Sequence, residues 1–405
     1  MSLPLEGVKV LDFTLLMAGP YCTLLLADMG ADVTKIESFP EGDGARHLAP
    51  MVNDESYCFA VLNRNKKSLA LDLKNAQGKE IFMQLAAKTD IIVENFRPGV
   101  TKKLGIDYAS IKKINPGVIY ASISGFGQTG PYGGKGGFDI IAQGMSGIMR
   151  MTGEPNGRPA KVGIAMNDIA AGVTALYAIL GSYIKKLKTG EGIFLETSLL
   201  EAGFAWTFWE FAAYFGSGEV AMANGTRHRR NAPYQAYRTQ DGYVTVGGNN
   251  DKLWTNFCTQ VLGKPELLSD PRFNPVAARL KNVDALQEVI EGVFAAAPTS
   301  HWVSKLDAAS VPGGPVYTYD QAVADPHIVA RDMVTEVDHP KIGRMKNMGS
   351  PVKASAEFTR TPVPAPWLGQ HSDEILKGLG IKDEQIARLH AQGVVYDKYR
   401  GKNPD

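Results

Sequence analysis

Short apolar runs alternate with amphipathic stretches through the first half of the chain. Runs rich in β-branched residues predict strands at 8–13, 32–37, 68–71, 91–94 and 118–124. Apolar residues spaced by three or four predict helices at 20–29 and 76–88. Strands that alternate with helices in this way indicate an α/β fold with a parallel, Rossmann-like sheet covered by helices on both faces.

The strongest helical pattern follows at 168–188. Its apolar stripe consists of Ile169, Val173, Leu176, Leu180 and Ile184. Lysines near its end and Gly190 directly after it are typical of a helix C-terminus. A second apolar helix, rich in tryptophan and phenylalanine, is predicted at 198–216.

The character of the sequence changes after residue 216. The segment 218–237 is polar and basic and is predicted to be a long loop. A strand at 243–247 and helices at 251–262 and 283–297 follow, and two short helices are predicted at 372–379 and 383–392. We therefore expect a large domain over 1–215, completed by 330–405, and a smaller α+β domain over 225–325.

Composition limits the classes of function. Hydrophobic residues make up 44% of the 405 residues and charged residues 21%, as in ordinary soluble proteins, and the net charge of +1 does not favour nucleic acid or an anionic membrane as a partner. The three cysteines show no disulfide or zinc-ligand spacing, which favours a reducing cytoplasm. Neither a signal peptide nor a membrane-spanning segment is expected.

Asp168 is the first candidate for chemistry, because it begins the strong helix within the segment AMNDIAAG. The unpaired N–H groups and the dipole at a helix N-terminus favour an ionised carboxylate, as a nucleophile requires. From spacing alone, an aspartate at this position is more often a helix cap that has no chemical role. The pattern alone leaves both interpretations open.

Three further segments carry candidate ligand contacts. In ENFRPG, Asn95, Phe96 and Arg97 follow a strand, where open α/β sheets bind ligands, although a simple Pro–Gly turn fits as well. The basic run 63–74 matches either a polyphosphate site or a solvated face. The glycine-dense run 125–139 matches a loop against a ligand or a plain flexible loop, but no dinucleotide or phosphate-loop fingerprint.

The basic group His228, Arg229 and Arg230 is suited to a substrate carboxylate or to a solvated loop. No serine-nucleophile elbow, zinc-protease helix or paired-cysteine motif occurs. We therefore expect neither a metal site nor a permanently bound cofactor.

Taken together, the motifs resemble those of the class III CoA-transferase family (the CaiB/BaiF group), which includes formyl-CoA transferase and the carnitine CoA-transferases. The matching segments, in order, are residues 5–37, GDGAR, NRNKKSLALDLK, ENFRPG, GFGQTGPY, GGFDIIAQGMSG, NDIAAG, KTGEG, DPHIVARDM and LGQHSDEIL. Each segment is a modest signal, whereas their order and spacing together are highly specific.

The resemblance implies an enzyme that moves CoA from an acyl-CoA to a free carboxylic acid. Asp168 would be the covalent catalyst, through an acyl–aspartyl anhydride and an aspartyl-CoA thioester. Coenzyme A would be held by Leu16, Met17, Ala18, Leu71, Lys74, Asn95, Phe96, Arg97, Lys103 and Leu104, and Phe138 and Asp139 would lie near the substrate. The family also implies an interlocked homodimer.

The chain departs from formyl-CoA transferase at Met17 and Ser38, where that enzyme has glutamine and arginine, and at 228–233, which lacks a run of glycines. These departures argue against formyl-CoA and oxalate. Arg229 and Arg230 instead favour a donor or acceptor with a second carboxylate, such as a succinyl group.

Two other functions are compatible with a CoA site. An α-methylacyl-CoA racemase resembles the chain around GGFDIIAQ, but it carries a histidine in place of Phe138, and proton exchange requires such a base. A non-catalytic acyl-CoA-binding protein would have no use for a carboxylate at Asp168. A nicotinamide dehydrogenase fits less well, because the dinucleotide fingerprint is missing.

Overall fold

The computed structural model describes residues 2–400, and the chain divides into two compact units. The first consists of 2–148, 161–217 and 330–400, and the second of 149–160 and 218–329. The second unit thus includes 149–160, whereas the sequence pattern predicts a large domain over the whole of 1–215. None of the described helices combines the length and the apolar character that a bilayer span requires.

The strands are numbered along the chain. They are β1 (Lys9–Phe13), β2 (Asp32–Glu37), β3 (Met51–Val52), β4 (Glu55–Ser56), β5 (Lys66–Leu71), β6 (Ile91–Glu94), β7 (Ile119–Ser124), β8 (Ile193–Ser198), β9 (Tyr234–Arg238), β10 (Tyr243–Gly247), β11 (Gly313–Pro315), β12 (Val334–His339), β13 (Gly343–Met348) and β14 (Val395–Tyr396).

The helices are numbered in the same way. They are α1 (Ala18–Asp28), α2 (Tyr57–Leu62), α3 (Ala76–Ala86), α4 (Val100–Leu104), α5 (Tyr108–Lys112), α6 (Asp139–Met145), α7 (Ile148–Met151), α8 (Met166–Thr189), α9 (Leu199–Ala205), α10 (Phe208–Ser217), α11 (Asp251–Asn256), α12 (Val276–Lys281), α13 (Val283–Phe294), α14 (Thr299–Ala308), α15 (Tyr319–Ala324), α16 (Pro326–Ala330), α17 (Ser372–Gly378) and α18 (Asp383–Ala391).

A seven-stranded sheet forms the centre of the first unit, with the strand order β14-β5-β2-β1-β6-β7-β8. All neighbouring strands pair in parallel except β14, which runs antiparallel to β5. Successive residues of β1 show why helices cover both faces, since Val10 packs into the core formed with α1 and α8, whereas Leu11 packs into the core formed with α3 and α18. The predicted α/β class with a large parallel sheet is confirmed.

The prediction of one helix over 198–216 is wrong, because the chain forms α9 and α10 with a break at Trp206 and Thr207. The Thr207 side chain donates to the carbonyl of Phe204 at 2.8 Å, and the Thr207 N–H donates to the same carbonyl at 3.0 Å, which closes the end of α9. The apolar run therefore contains two short helices rather than one long one.

In the second unit, β9, β10 and β11 form an antiparallel sheet against α13 and α14. The predicted loop over 218–237 is wrong at its end, where β9 begins at Tyr234. Gln235 and Tyr237 are buried, and the residues beside them are less buried, as in a strand with one face against a core. The polar and basic composition of the stretch does not reveal this alternation.

Candidate active site

A cleft of 270 Å³ opens where the strand order of the parallel sheet reverses. The chain passes from β1 outward to β2 on one side, and from β6 outward to β7 on the other. The loops 14–17 and 95–98 therefore leave adjacent strands in opposite directions, which is where such sheets bind ligands. The Asn95 side chain fastens the two loops together, since it accepts from the Leu15 N–H and donates to the Leu15 carbonyl, both at 2.8 Å.

Buried charges hold the loop after β1. The Lys35 ammonium donates to the Thr14 carbonyl at 2.6 Å and pairs with Asp43 at 2.9 Å. The same Asp43 carboxylate accepts the N–H of Leu16 at 2.9 Å. Leu16 has a φ of 65°, which a leucine adopts only when its surroundings impose it. Lys35 and Asp43 thus fix the backbone of the loop 14–17, which lines the cleft.

Helix α8 is docked closely against the same loop. A Cβ added at Gly172 would lie 2.6 Å from the Ala18 carbonyl oxygen, so only glycine permits this approach of α8 to α1. The buried Asn167 side chain donates to the carbonyl of Leu199 at 3.0 Å, and a Cβ at Gly203 would lie 2.0 Å from its nitrogen. Asn167 and Gly172 of the NDIAAG motif therefore fix how α8 packs against α1 and α9.

Asp168 is the third residue of α8 and lines the cleft. The helix cap is Ala165, and the Asp168 carboxylate accepts no hydrogen bond from the residues that the structure describes, so the capping interpretation is wrong. Burial raises the pKa of Asp168 to about 7, and the nearby charge of Asp139 contributes in the same direction. Burial and Asp139 therefore both favour the protonated form of Asp168 relative to an exposed aspartate.

Asp139 begins α6 and is held by two donors. The backbone N–H of Asn167 donates to it at 2.9 Å, and the side chain of Gln143 donates at 2.7 Å. The first of these bonds satisfies an N–H that the first turn of α8 leaves unpaired. Asp139 is therefore engaged in hydrogen bonds, whereas the carboxylate of Asp168 has no such partner among the described residues.

The cleft gathers many of the predicted site residues. Those that line it are Leu16, Met17, Ala18, Asn95, Phe96, Arg97, Phe138, Asp139 and Asp168. The ring of Phe96 packs edge-on against Phe13, with 5.0 Å between ring centroids. The exposed Arg97 forms no ion pair within residues 2–400, and a Cβ at Gly136 would lie 2.8 Å from its guanidinium.

Four predicted CoA contacts lie outside the lining of this cleft. Leu71 is buried in the hydrophobic core, and Leu104 is half-buried against the same core. Lys74 and Lys103 are exposed, as a phosphate contact requires. The contacts of these residues with CoA stay a prediction.

The interpretation of the run 63–74 as one basic cluster is wrong for Arg64 and Lys66. The Arg64 guanidinium is buried against the Asp28 carboxylate at 2.7 Å, and the Lys66 ammonium is buried against the Asp12 carboxylate at 2.9 Å. Their partners stand far away along the chain, so spacing alone could not reveal these pairs. These two charges are unavailable to a ligand.

His228, Arg229 and Arg230 belong to the second unit and have partners there. The Arg230 N–H donates to the His228 ring at 3.1 Å, and its guanidinium lies 3.7 Å from Glu219. Arg229 donates to the carbonyl of Met222. Their contact with a substrate carboxylate stays a prediction.

Sequence reasoning missed Lys135, which lines the cleft as its second cationic side chain beside Arg97. Its ammonium lies 4.3 Å from the centroid of the Tyr132 ring. Gly125 and Gly137 bring the two ends of the segment that carries this lysine into backbone contact. A Cβ added at either glycine would lie 2.6 Å from the Cα of the other. A single lysine within a glycine-dense run is the signal that could have identified it.

The sequence is similar to known proteins along nearly its whole length. Residues 5–372 match the model of CoA-transferase family III. The chain is 38% identical to human succinyl-CoA:glutarate CoA-transferase, over 97% of this chain and 90% of that protein. It is 37% identical to acetyl-CoA:oxalate CoA-transferase of Acetobacter aceti, over 87% and 89% of the two chains.

A solved structure of a CAIB/BAIF family protein from Brucella suis superposes with a TM-score of 0.85 at 34% identity, covering 94% of this chain and 100% of that one. The family match covers far more than half of the sequence, and the relatives align over nearly their whole lengths. The chain therefore belongs to CoA-transferase family III.

Proposed function

We propose that the enzyme transfers CoA from an acyl-CoA donor to a free carboxylic acid with Asp168 as the nucleophile. The observation that carries this proposal is the position of Asp168, whose carboxylate lines the cleft and has no hydrogen-bond partner within the described residues. Partial burial leaves it poorly solvated, and the N-terminus of α8 opposes the loss of its charge.

In the proposed reaction, a carboxylate oxygen of Asp168 attacks the thioester carbonyl, and the C–S bond breaks to release CoA thiolate. The thiolate then attacks the aspartyl carbonyl of the anhydride, which releases the donor acid and leaves aspartyl-CoA. The acceptor carboxylate attacks this thioester and releases the thiolate again. The thiolate finally attacks the acceptor carbonyl of the new anhydride, which yields acyl-CoA and restores Asp168.

The proposed CoA site lies between the loops 14–17 and 95–98, with Phe96 and Arg97 toward the nucleotide end. Arg97 supplies a guanidinium without an ion-pair partner in the described part of the chain, as a phosphate requires. Exposed Lys74 and Lys103 would add charge at the solvent side. In this arrangement the thioester reaches Asp168 at the inner end of the cleft.

We propose short dicarboxylic acids as substrates, with succinyl-CoA as a donor. The relatives are named for succinyl-CoA, glutarate and oxalate, so oxalate returns as a candidate acceptor although Met17 and Ser38 argue against it. Lys135 lies in the cleft and offers a positive charge for a second carboxylate. Arg229 and Arg230 remain proposed contacts for the same group.

Racemisation is less well supported by the site. Among the described residues that line the cleft there is no histidine, and Phe138 stands where the racemases carry one. Proton exchange needs a base on each face of the α-carbon. Asp139 accepts two hydrogen bonds already, so Asp168 alone is free for proton transfer.

Trapping the covalent intermediate tests the proposal. The enzyme is incubated with succinyl-CoA, then with other acyl-CoAs, quenched with hydroxylamine and mapped by mass spectrometry. A hydroxamate on Asp168 is the expected product, and an Asp168→Asn variant treated in the same way is the control. An unmodified Asp168 together with α-proton exchange would support the racemase, and CoA binding without either would support a binding protein.

The transfer rate should depend on pH through the ionisation of Asp168. Only the carboxylate is nucleophilic, and the pKa of Asp168 is raised to about 7 by burial and by Asp139. We expect kcat/KM for the acyl-CoA to fall about tenfold per pH unit below 7 and to level off above it. Asp139→Asn removes the nearby charge, so the fall in kcat/KM should begin at a lower pH than in the wild type. A fall at the same pH in this variant would show that a group other than Asp168 controls it.

A homodimer is part of the proposal, and the first unit carries a surface that fits one. Phe208 and Trp209 on α10 expose 74% and 79% of their surface, and Tyr177 and Leu187 on α8 are also exposed. Isolated soluble proteins seldom leave so many large apolar side chains in water. We expect sedimentation to give a dimer and Trp209→Glu to shift the mass toward the monomer, while Gln77→Glu on α3 leaves it unchanged. A monomeric wild type would contradict the proposal.

A further inference from the structure

Glu94 is a buried carboxyl group that takes part in no ion pair within the described residues. It is the last residue of β6, directly before the loop 95–98, and 3% of its surface is exposed. Burial raises the pKa of Glu94 to about 7, although two hydrogen-bond donors act in the opposite direction. A carboxyl group at such a position weakens the core unless it has a specific role.

One of these groups lies in the loop 95–98 and the other on the neighbouring strand β7. The backbone N–H of Phe96 donates to Glu94 Oε2 at 2.8 Å. Ser122 stands opposite Glu94 in the pairing of β6 with β7, and its side chain acts on this carboxyl group, since it lowers the pKa of Glu94. Glu94 therefore joins the first turn of the loop 95–98 to the neighbouring strand.

Ser122 extends this connection to the glycine-dense segment after β7. Its Oγ accepts from the side-chain amide of Gln128 at 2.9 Å, and the backbone N–H of Gln128 donates to Glu196 on β8 at 3.2 Å. The contacts from Phe96 through Glu94 and Ser122 to Gln128 thus link the loop 95–98 to the glycine-dense segment, and both segments contribute residues to the lining of the cleft. Neither Glu94 nor Ser122 lines the cleft itself.

We propose that Glu94 is a positioning residue of the acyl-CoA site, which sets the affinity for acyl-CoA by fixing the loop 95–98 to the glycine-dense segment and takes no part in the transfer steps. This inference rests on the proposed function. A carboxylate suits the role because it can accept from the Phe96 N–H and from the Ser122 hydroxyl at once, whereas a glutamine would accept from one and present its NH₂ group to the other. Loss of the connection frees Phe96 and Arg97 before the ligand binds, so binding must then order them.

The test is steady-state kinetics with a succinyl-CoA donor, together with calorimetric titration of each protein with CoA. We expect Glu94→Ala to raise KM for the donor and Kd for CoA about tenfold, with kcat within about twofold, because hydrogen bonds to charged groups have this magnitude. Glu94→Gln keeps the acceptor for Phe96 and should raise both about threefold. Glu80→Gln, an exposed glutamate outside the cleft, should change neither.

Gln128→Ala provides a second variant if Glu94→Ala does not fold, because Gln128 is partly exposed and its replacement leaves the core intact. Like Glu94→Gln, the Gln128→Ala variant should raise both KM for the donor and Kd for CoA. Unchanged CoA affinity in folded Glu94 variants, or a loss of kcat at constant KM, would overturn the positioning role. A wild-type protein that does not bind CoA would instead contradict the proposed function.

Discussion

Replacing Asp168 by asparagine is expected to lower kcat for CoA transfer by about 10⁴-fold or more, in line with the loss of a covalent nucleophile. An amide cannot form the anhydride, and Asp139 cannot substitute, because it is held by Asn167 and Gln143. Single-turnover assays with succinyl-CoA and an excess of acceptor acid measure the loss directly. Residual activity above about 1% of the wild-type rate would remove Asp168 from the nucleophilic role.

Stability provides the control for this substitution. The pKa of Asp168 in the folded protein is raised to about 7, above its ordinary value of 3.8, so the folded state favours the protonated form. The stability that this protonated form contributes is lost as the pH rises from about 3.8 to about 7, so the cost is complete at pH 8. Asp168→Asn has no charge to ionise, so we expect it to resist denaturation at pH 8 at least as well as the wild type and to bind CoA normally. An inactive variant that is also less stable would leave the loss of activity without a chemical interpretation.

The second large effect is expected at Asp12, which is fully buried beneath the cleft. Its carboxylate accepts from the Lys66 ammonium at 2.9 Å and from the Thr23 hydroxyl at 2.7 Å. Burial alone would raise the pKa of Asp12, but the charges of Lys35 and Lys66 outweigh it and hold that pKa far below the usual range. Asp12→Ala leaves two buried ammonium groups with one compensating charge fewer, which costs about 3–5 kcal/mol of folding free energy.

Urea denaturation followed by circular dichroism measures this cost. Asp32→Ala is the matched control, because Asp32 is an exposed carboxylate whose lysine partner, Lys67, lies 3.5 Å away on the surface. Such a pair contributes less than about 1 kcal/mol. Similar urea midpoints for Asp12→Ala and Asp32→Ala would show that Asp12 is not needed to stabilise the buried charges of Lys35 and Lys66.

The sequence predicts the parallel sheet well because its signals are local. The strands 32–37 and 91–94 agree with the structure at both ends, since a short run rich in β-branched residues is a signal that depends only on near neighbours. The rule that ligands bind beyond strand ends likewise predicts the place of Asn95 and Phe96. For Asn95 and Phe96, the position directly after a strand was sufficient to predict that they line the cleft.

Long-range pairing accounts for the errors. Lys66 belongs to the same basic run as the partly exposed Lys67, and only the fold reveals that Asp12 lies against it. The burial of Leu71 is likewise hidden from local pattern, because helices from the other end of the chain complete its core, and its contact with CoA stays a prediction. The raised pKa of Asp168 depends in the same way on Asp139, 29 residues earlier, and on burial that no local pattern specifies.

The antiparallel strand β14 has a consequence for synthesis of the protein on the ribosome. It covers β5 at the sheet edge, pairing Val395 with Leu71 and Tyr396 with Ala70. At a translation rate of about 5–20 residues per second, the intervening chain takes roughly 15–65 s to emerge, and β5 keeps an open edge throughout. Nascent chains and products truncated before β14 should therefore be the forms of this enzyme that chaperones bind and that aggregate first.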